Sequence, residues 1–423
     1  MSMMWLLSLA FAGSYDRFVQ QVSADARAWN EPGPTSSPDA QTTWRDVWEQ
    51  AGDYAEYEKD GAKRRGDAGV RRALRRTWDP SLTQPRKMNP VCEELGWPET
   101  SDDPVIARVD TSTCTLLKEH KDLIPDFTRS ATQGSPRNPA PAFAGWLETD
   151  EGLRSTYPLR SVARSALLLG WADGDPITPA AATGRLGWDL TLGGDPSVTM
   201  SGLATLDDTH DVLKGYALES DKQELVRIAD IARDLPVDVD LLQLARVAYL
   251  SSITLMLRAV DESSPLIQHG TVASRHAPLG SLGDLSGMKV PIKQFLKGPH
   301  RQAWEKAFEQ VQITDFEPRQ KALGALAKDL EESGGPVAAL VGAAASAEIE
   351  SLGRWDLKIM VRRQESCLIE AGSRQALGQP LPSCPLGLEQ REDGLYTPLD
   401  PEALNLKGRW TEAFWMPKVE APE

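Results

Sequence analysis

Four cysteines, five histidines and a dense run of arginines are the residues of this chain whose types lend themselves to chemistry. The cysteines fall as two local pairs, Cys92 with Cys114 and Cys367 with Cys384. Neither pair has the two-residue spacing of a zinc or thioredoxin-like motif, and in an exported chain the even count at these separations reads as two disulfides closing local loops, with four reduced thiols the reading for a cytosolic chain and three connectivities open in principle. Paired cysteines also remove the free thiol that a cysteine nucleophile needs. The histidines are His120, His210, His269, His276 and His300, and no two stand three or four residues apart, the spacing of ligands on one helix face. His210 lies among Asp207, Asp208 and Asp211, which reads as a helix amino terminus rich in capping acids. No metal and no cofactor is expected.

Other catalytic signatures fail on context. Gly-x-Ser-x-Gly is absent, and Ser286 with Lys289 matches Ser-x-x-Lys without its partner motifs, so it reads as a chance match. Asp173-Gly174-Asp175 lacks the later ligands of a calcium loop and reads as a turn. There is no phosphate-binding Gly-x-x-x-x-Gly-Lys run. Acidic pairs such as Asp102 with Asp103 and Asp238 with Asp240 are common in an acidic chain and define no cleft. Of thirteen tryptophans, Trp44, Trp48, Trp304 and Trp355 keep helical spacing with apolar neighbours and read as core.

The arginines carry the clearest charge signal. Between Lys59 and Lys87 ten basic residues face three acidic ones, leaving +7, so the remainder carries −22 of the total −15. On a helix, Arg64, Arg65, Arg71, Arg72, Arg75 and Arg76 form a positive face beside Val70, Ala73 and Leu74, suited to anionic lipid headgroups or an acidic protein surface. Gly61, Gly66 and Gly69 weaken that helix, and a solvated segment balancing the acidic remainder is the plainer reading. The acidic total argues against nucleic acid as a partner.

The elements that must position these groups read as mainly α, a multi-helix core with a small β-hairpin component, with α+β as the alternative. The apolar stretch Met3 to Ala12 ends in the small-x-small run Ala10-Phe11-Ala12, so residues 1–12 read as a signal peptide cleaved after Ala12. Residues 13–149 read as a helical and irregular region with the basic segment and one disulfide. Within them the Pro32–Pro38 break separates two helices, and 80–145 is irregular except for a short helix near Leu116–Leu123. Residues 150–423 read as a helical core with a disulfide-closed tail. Leu186, Trp188, Leu190 and Leu192 alternate with Gly187, Asp189 and Thr191, which predicts a β-hairpin over Gly184–Leu206. Asp238 is the expected cap of a helix reaching Val260, 270–287 reads as a loop, and Pro336 opens a helix continuing to about Ala371. Glu392-Asp393-Gly394 reads as a turn between short strands.

Together these readings lead to the expectation of an exported, non-catalytic periplasmic or envelope protein that binds another macromolecule through helical surfaces. A protein or envelope partner is expected, with peripheral contact to an anionic membrane through the basic segment. An extracytoplasmic hydrolase acting on carbohydrate or peptide is the alternative from a different class, and a cytosolic helical scaffold follows if the leader reading fails.

Overall fold

Acidic residues at helix starts show why the chain folds into helices where it does. Asp60, Asp110, Asp221 and Asp240 each turn a carboxylate oxygen onto the first backbone N–H groups of the helix that follows. Those donors have no partner within the helix, so each cap is worth about 1 kcal/mol. At Asp221 the capping box is complete, because Glu224 also accepts from the Asp221 N–H. Asp240 is the cap of the helix reaching Val260, in place of the expected Asp238, which lies outside the described residues.

The computed structural model describes residues 17–25, 47–52, 59–79, 86–133, 156–260, 289–332 and 343–422, apart from breaks of one to three residues inside those ranges. Residues 1–12, the Pro32–Pro38 break, the 270–287 loop and Pro336 lie outside them. Helix α1 (Gly61–Leu74) is followed by a short antiparallel ladder of β1 (Arg86–Lys87) with β2 (Thr100–Ser101). Helices α2 (Thr111–His120) and α3 (Ile124–Gln133) come next, so 80–145 holds more helix than its Pro- and Ser-rich composition predicts. Five helices then follow: α4 (Thr156–Ala172), α5 (Ile177–Leu192), α6 (Pro196–Ala217), α7 (Lys222–Asp234) and α8 (Leu241–Val260). Lys289–Phe295 and the π-helical Leu296–His300 lead into α9 (Arg301–Gln310), then α10 (Phe316–Glu332) and α11 (Ala343–Ala376). The chain closes in an antiparallel sheet, β3 (Glu389–Arg391), β4 (Gly394–Tyr396) and β5 (Trp415–Pro417), in that order. The expected turn at Glu392-Asp393-Gly394 joins β3 to β4, with Gln390 opposite Leu395 and Leu395 opposite Met416. The fold is mainly α with a small β component.

The hairpin expected over Gly184–Leu206 is two helices instead, α5 and α6. Period-two alternation arises here because α5 is buried on opposite sides. Leu186 and Leu190 pack with Val162, Ala166 and Val198, while Trp188 points the other way among Leu203, Leu206 and Tyr249. A helix apolar all round imitates a strand's alternation over a short window. Gly187 and Gly202 let the two helices touch, because a Cβ on Gly202 would collide with the Gly187 carbonyl and with Thr191. Pro196 takes the first position of α6, where a proline's missing N–H costs nothing.

Helix α11, about 51 Å long at 1.5 Å per residue, runs past two apolar clusters. Its first half contributes Ile349, Leu352, Trp355 and Ile359 to a core with Trp188, Tyr249 and Trp304. The second half places Leu368, Ile369 and Ala371 with Val70, Leu74, Leu117, Leu167, Leu213 and Ile228. No helix among the described residues is long and apolar enough to cross a membrane.

Candidate functional site

Both expected disulfides are formed, Cys92–Cys114 with Cα atoms 5.2 Å apart and Cys367–Cys384 with 5.6 Å. The first ties Cys92 to α2, and the second ties the tail to α11. Gln364, three residues before Cys367, holds the same tail: its amide donates to the Gly387 carbonyl and the Thr397 hydroxyl and accepts from the Leu386 N–H.

The arginines of α1 divide as the helix period requires. Arg64, Arg65, Arg71, Arg72 and Arg75 are exposed, while Gly66, Asp67, Gly69, Val70, Ala73 and Leu74 are buried. At 100° per residue the five arginines and Ala68 occupy an arc of about 120°. Arg64, Arg65 and Arg71 make no ion pair among the described residues, and Arg72 and Arg75 only approach Asp110 and Glu412, each at 3.9 Å. Arg76 is set apart from this face. It adopts a left-handed backbone (φ 51°), and its guanidinium is paired with Glu412, Nε donating at 2.8 Å. That pairing offsets the strain of an L side chain in this conformation.

Behind the arginine face lies a buried ionic network that the sequence reading missed. Asp67 of α1 accepts from Arg164 Nη1 at 3.0 Å and from the Tyr157 hydroxyl at 2.7 Å, and Arg164 Nε donates to Asp208 of α6 at 2.7 Å. Burial works against the charged Arg164, but Asp208 and Asp67 outweigh it and raise its pKa. On the other side of α6, Glu365 of α11 accepts from Lys214 Nζ at 2.5 Å and from Arg362, whose other nitrogen donates to Asp207 at 2.6 Å. Arg362 also lies 4.3 Å from the centre of the Trp410 ring, a cation–π contact. Lys214 reaches a second acceptor, the Glu412 carbonyl, at 3.0 Å.

His210 stands inside this network, in the middle of α6 and not at a helix start as the acidic run around it had indicated. Nδ1 lies 2.9 Å from Glu365, and Nε2 lies 2.9 Å from the Ser366 hydroxyl. Burial outweighs Glu365 and lowers the imidazole pKa, so the neutral ring donates from Nδ1 to Glu365 and accepts from Ser366. Burial alone would raise Glu365, but Lys214, Arg362 and His210 together hold it well below the usual carboxylate range. The order Ser366, His210, Glu365 is that of a serine–histidine–acid triad. Ser366, however, is 1% exposed, and its position inside α11 commits its own N–H to the helix ladder, unlike a nucleophile beside an oxyanion hole. The arrangement therefore joins α6 to α11 as a lock.

A second buried polar set lies in the other core. Trp304 Nε1 donates to His300 Nε2 at 3.1 Å, and Ser252 meets the same nitrogen at 3.0 Å. Among the described residues His300 Nδ1 and Glu348 Oε2 have no hydrogen-bond partner. Burial lowers His300 to about 3 and pushes Glu348 up to about 8, the latter opposed by its hydrogen bond to Ser252. His120, bonded to Ser165 at 2.9 Å, is lowered to about 4 by burial. Among the described residues no cluster of His, Cys, Asp and Glu has a metal-holding arrangement.

The signal that could have found the central network is spacing within long helices. Asp207, His210, Asp211 and Lys214 recur every three or four residues in the middle of α6, and Arg362 precedes Glu365 by three inside α11. The fold and site thus define a disulfide-pinned helical protein with an ionic interior and a basic outer face. Comparison with family models, with curated proteins and with solved structures finds no match to the chain.

Proposed function

We propose that this chain is an exported, non-catalytic protein of the periplasm or cell envelope that binds another macromolecule, with the arginine face of α1 as the contact surface. The observation that carries this reading is the row of five exposed arginines in a chain that is acidic elsewhere, of which Arg64, Arg65 and Arg71 make no ion pair among the described residues and Arg72 and Arg75 reach an acid only at 3.9 Å. Two disulfides and the leader-like residues 1–12 support export, because such bonds persist in oxidising compartments.

The binding test uses a sulfopropyl cation exchanger at pH 7.5 as the probe. A chain of pI about 5.0 passes through such a resin unless a local face acts as a unit. Retention at low salt, lost when the five arginines become glutamine, is expected; flow-through of both proteins would overturn the reading. Export is tested by intact mass after expression from the native start in a bacterium able to secrete. A chain beginning at Gly13 whose thiols react only after reduction is expected, and one retaining Trp5–Ala12 with four free thiols would overturn it.

Of the hydrolase alternative, a serine-nucleophile form acting on peptide is favoured by one observation, His210 between Ser366 and Glu365. A fluorophosphonate probe decides it. The burial of Ser366 leads to an expectation of no labelling, and stoichiometric labelling lost in Ser366→Ala would replace the binding reading with a catalytic one.

A further inference from the structure

We infer that the arginine face of α1 docks the protein onto an anionic phospholipid surface, by adsorption and not by insertion. The inference rests on the reading above that this face is the contact surface, and it adds the partner. Arg64, Arg65, Arg71 and Arg72 of α1 and Arg75, the residue that caps its end, lie in one arc over about 17 Å, separated only by Ala68. A protein partner normally offers, and requires, an apolar or aromatic anchor at the centre of the contact. None exists here: the exposed large hydrophobics among the described residues are Val226, Val290, Leu381 and Leu399, all outside α1. A sheet of phosphates needs no anchor, and guanidinium groups bind phosphate oxygens in a bidentate fork.

The apolar side of α1 is not available for membrane insertion. Val70, Ala73 and Leu74 are buried in the protein core. Gly66 and Gly69 bring α1 against Ser112, Thr113 and Leu116 of α2, a helix held in turn by Cys92–Cys114. Asp67 is fixed from behind by Arg164 and Tyr157. The face is therefore rigid before it meets a partner, and the arginines lose little backbone freedom on binding. The acidic remainder, carrying −22, is repelled by an anionic surface and turns this face toward it. At physiological salt, charges more than about 8 Å from the plane are screened.

The test is co-sedimentation of the full-length, oxidised mature protein with vesicles of phosphatidylglycerol mixed into phosphatidylcholine, against phosphatidylcholine alone. Binding to the anionic vesicles only is expected. It should weaken by tenfold or more between 50 and 300 mM salt and by about fivefold for each arginine changed to glutamine. The five-lysine variant keeps salt-sensitive binding to anionic vesicles but binds more weakly than wild type, and the five-glutamine variant loses it with its circular dichroism spectrum unchanged. Equal binding to neutral vesicles, or binding that survives the five-glutamine change, overturns the inference. Two further results overturn it while leaving the broader reading in place. One is retention on polyglutamate resin without vesicle binding, which assigns the face to an acidic protein. The other is self-association in sedimentation velocity, lost in the five-glutamine variant and without vesicle binding, which assigns it to a second copy. Failure on vesicles, polyglutamate and cation exchanger alike removes both the inference and the reading beneath it.

Discussion

At the scale of single residues the central object is Glu365, a buried carboxylate shared by Lys214, Arg362 and His210. Removing its charge leaves the buried Lys214 without a counter-ion and Arg362 with Asp207 alone, and stripping the partner from a buried cation typically costs about 3–5 kcal/mol. Glu365→Gln should therefore lower the urea midpoint sharply, and a shift of less than about 1 kcal/mol would show that the network contributes little. Glu348 behaves in the opposite sense. Its folded pKa of about 8 lies above the unfolded value near 4.5, so the folded state holds the proton more tightly. Its contribution to stability is complete below pH 4.5 and is lost as pH rises toward 8. The difference in unfolding free energy between wild type and Glu348→Gln should fall across that window and level off above it; a difference independent of pH would contradict the burial of the Glu348 carboxyl. None of these roles was legible from residue type, because a Glu in a long helix reads as a solvated face until its neighbours across the interface are known.

At the scale of elements, residue patterning exposed most of the helices but not their partners. The helix reaching Val260 and the β3–β4 turn follow from local chemistry that needs no tertiary knowledge, although the cap of that helix is Asp240 and not the expected Asp238. Helix α5 did not, because burial on both sides imposed the alternation of a strand on it. Helix α1 shows the same dependence on context. Its glycines argue against a helix by propensity, each costing about 1 kcal/mol relative to alanine, yet they are what lets α2 approach. Thr113 and Leu116 occupy the space that side chains at Gly69 and Gly66 would need. Gly69→Ala is therefore expected to destabilise the protein despite the better helix propensity of alanine. A rise in thermal midpoint would mean that α1 and α2 do not touch there. The five-glutamine variant of the outer face moves the other way. It removes like-charge neighbours such as Arg71 with Arg75, each worth about 0.2–0.5 kcal/mol of repulsion, so its midpoint should equal or exceed that of wild type.

At the scale of the whole molecule, the disulfides and the ionic network do related work at opposite ends of the sequence. Cys92–Cys114 steadies α2 behind the arginine face, while Cys367–Cys384 holds the tail whose end returns to Arg76 and Trp78, just past α1. That return is specific. Glu412 pairs with Arg76 and lends its carbonyl to Lys214, and Trp415 packs edge-on against Trp78 at 5.0 Å. The tail thus closes over the side of α6 that carries His210 and Lys214, and its attachment has three independent parts: a covalent link, Gln364 and the Glu412 contacts. In the chain-entropy account each cross-link stabilises by about 3 kcal/mol, with little to separate loops of this size. Their consequences differ by place. Cys367→Ser with Cys384→Ser should lower stability by about that amount while Gln364 and Glu412 still hold the sheet, so the folded tryptophan fluorescence stays close to wild type. Cys92→Ser with Cys114→Ser loosens α2 and with it the backing of α1, so any binding through the arginine face should weaken along with stability. If the two double variants impaired that binding equally, the rigidity of α1 would not depend on α2, and the arginines would act as a charged segment whose packing is irrelevant.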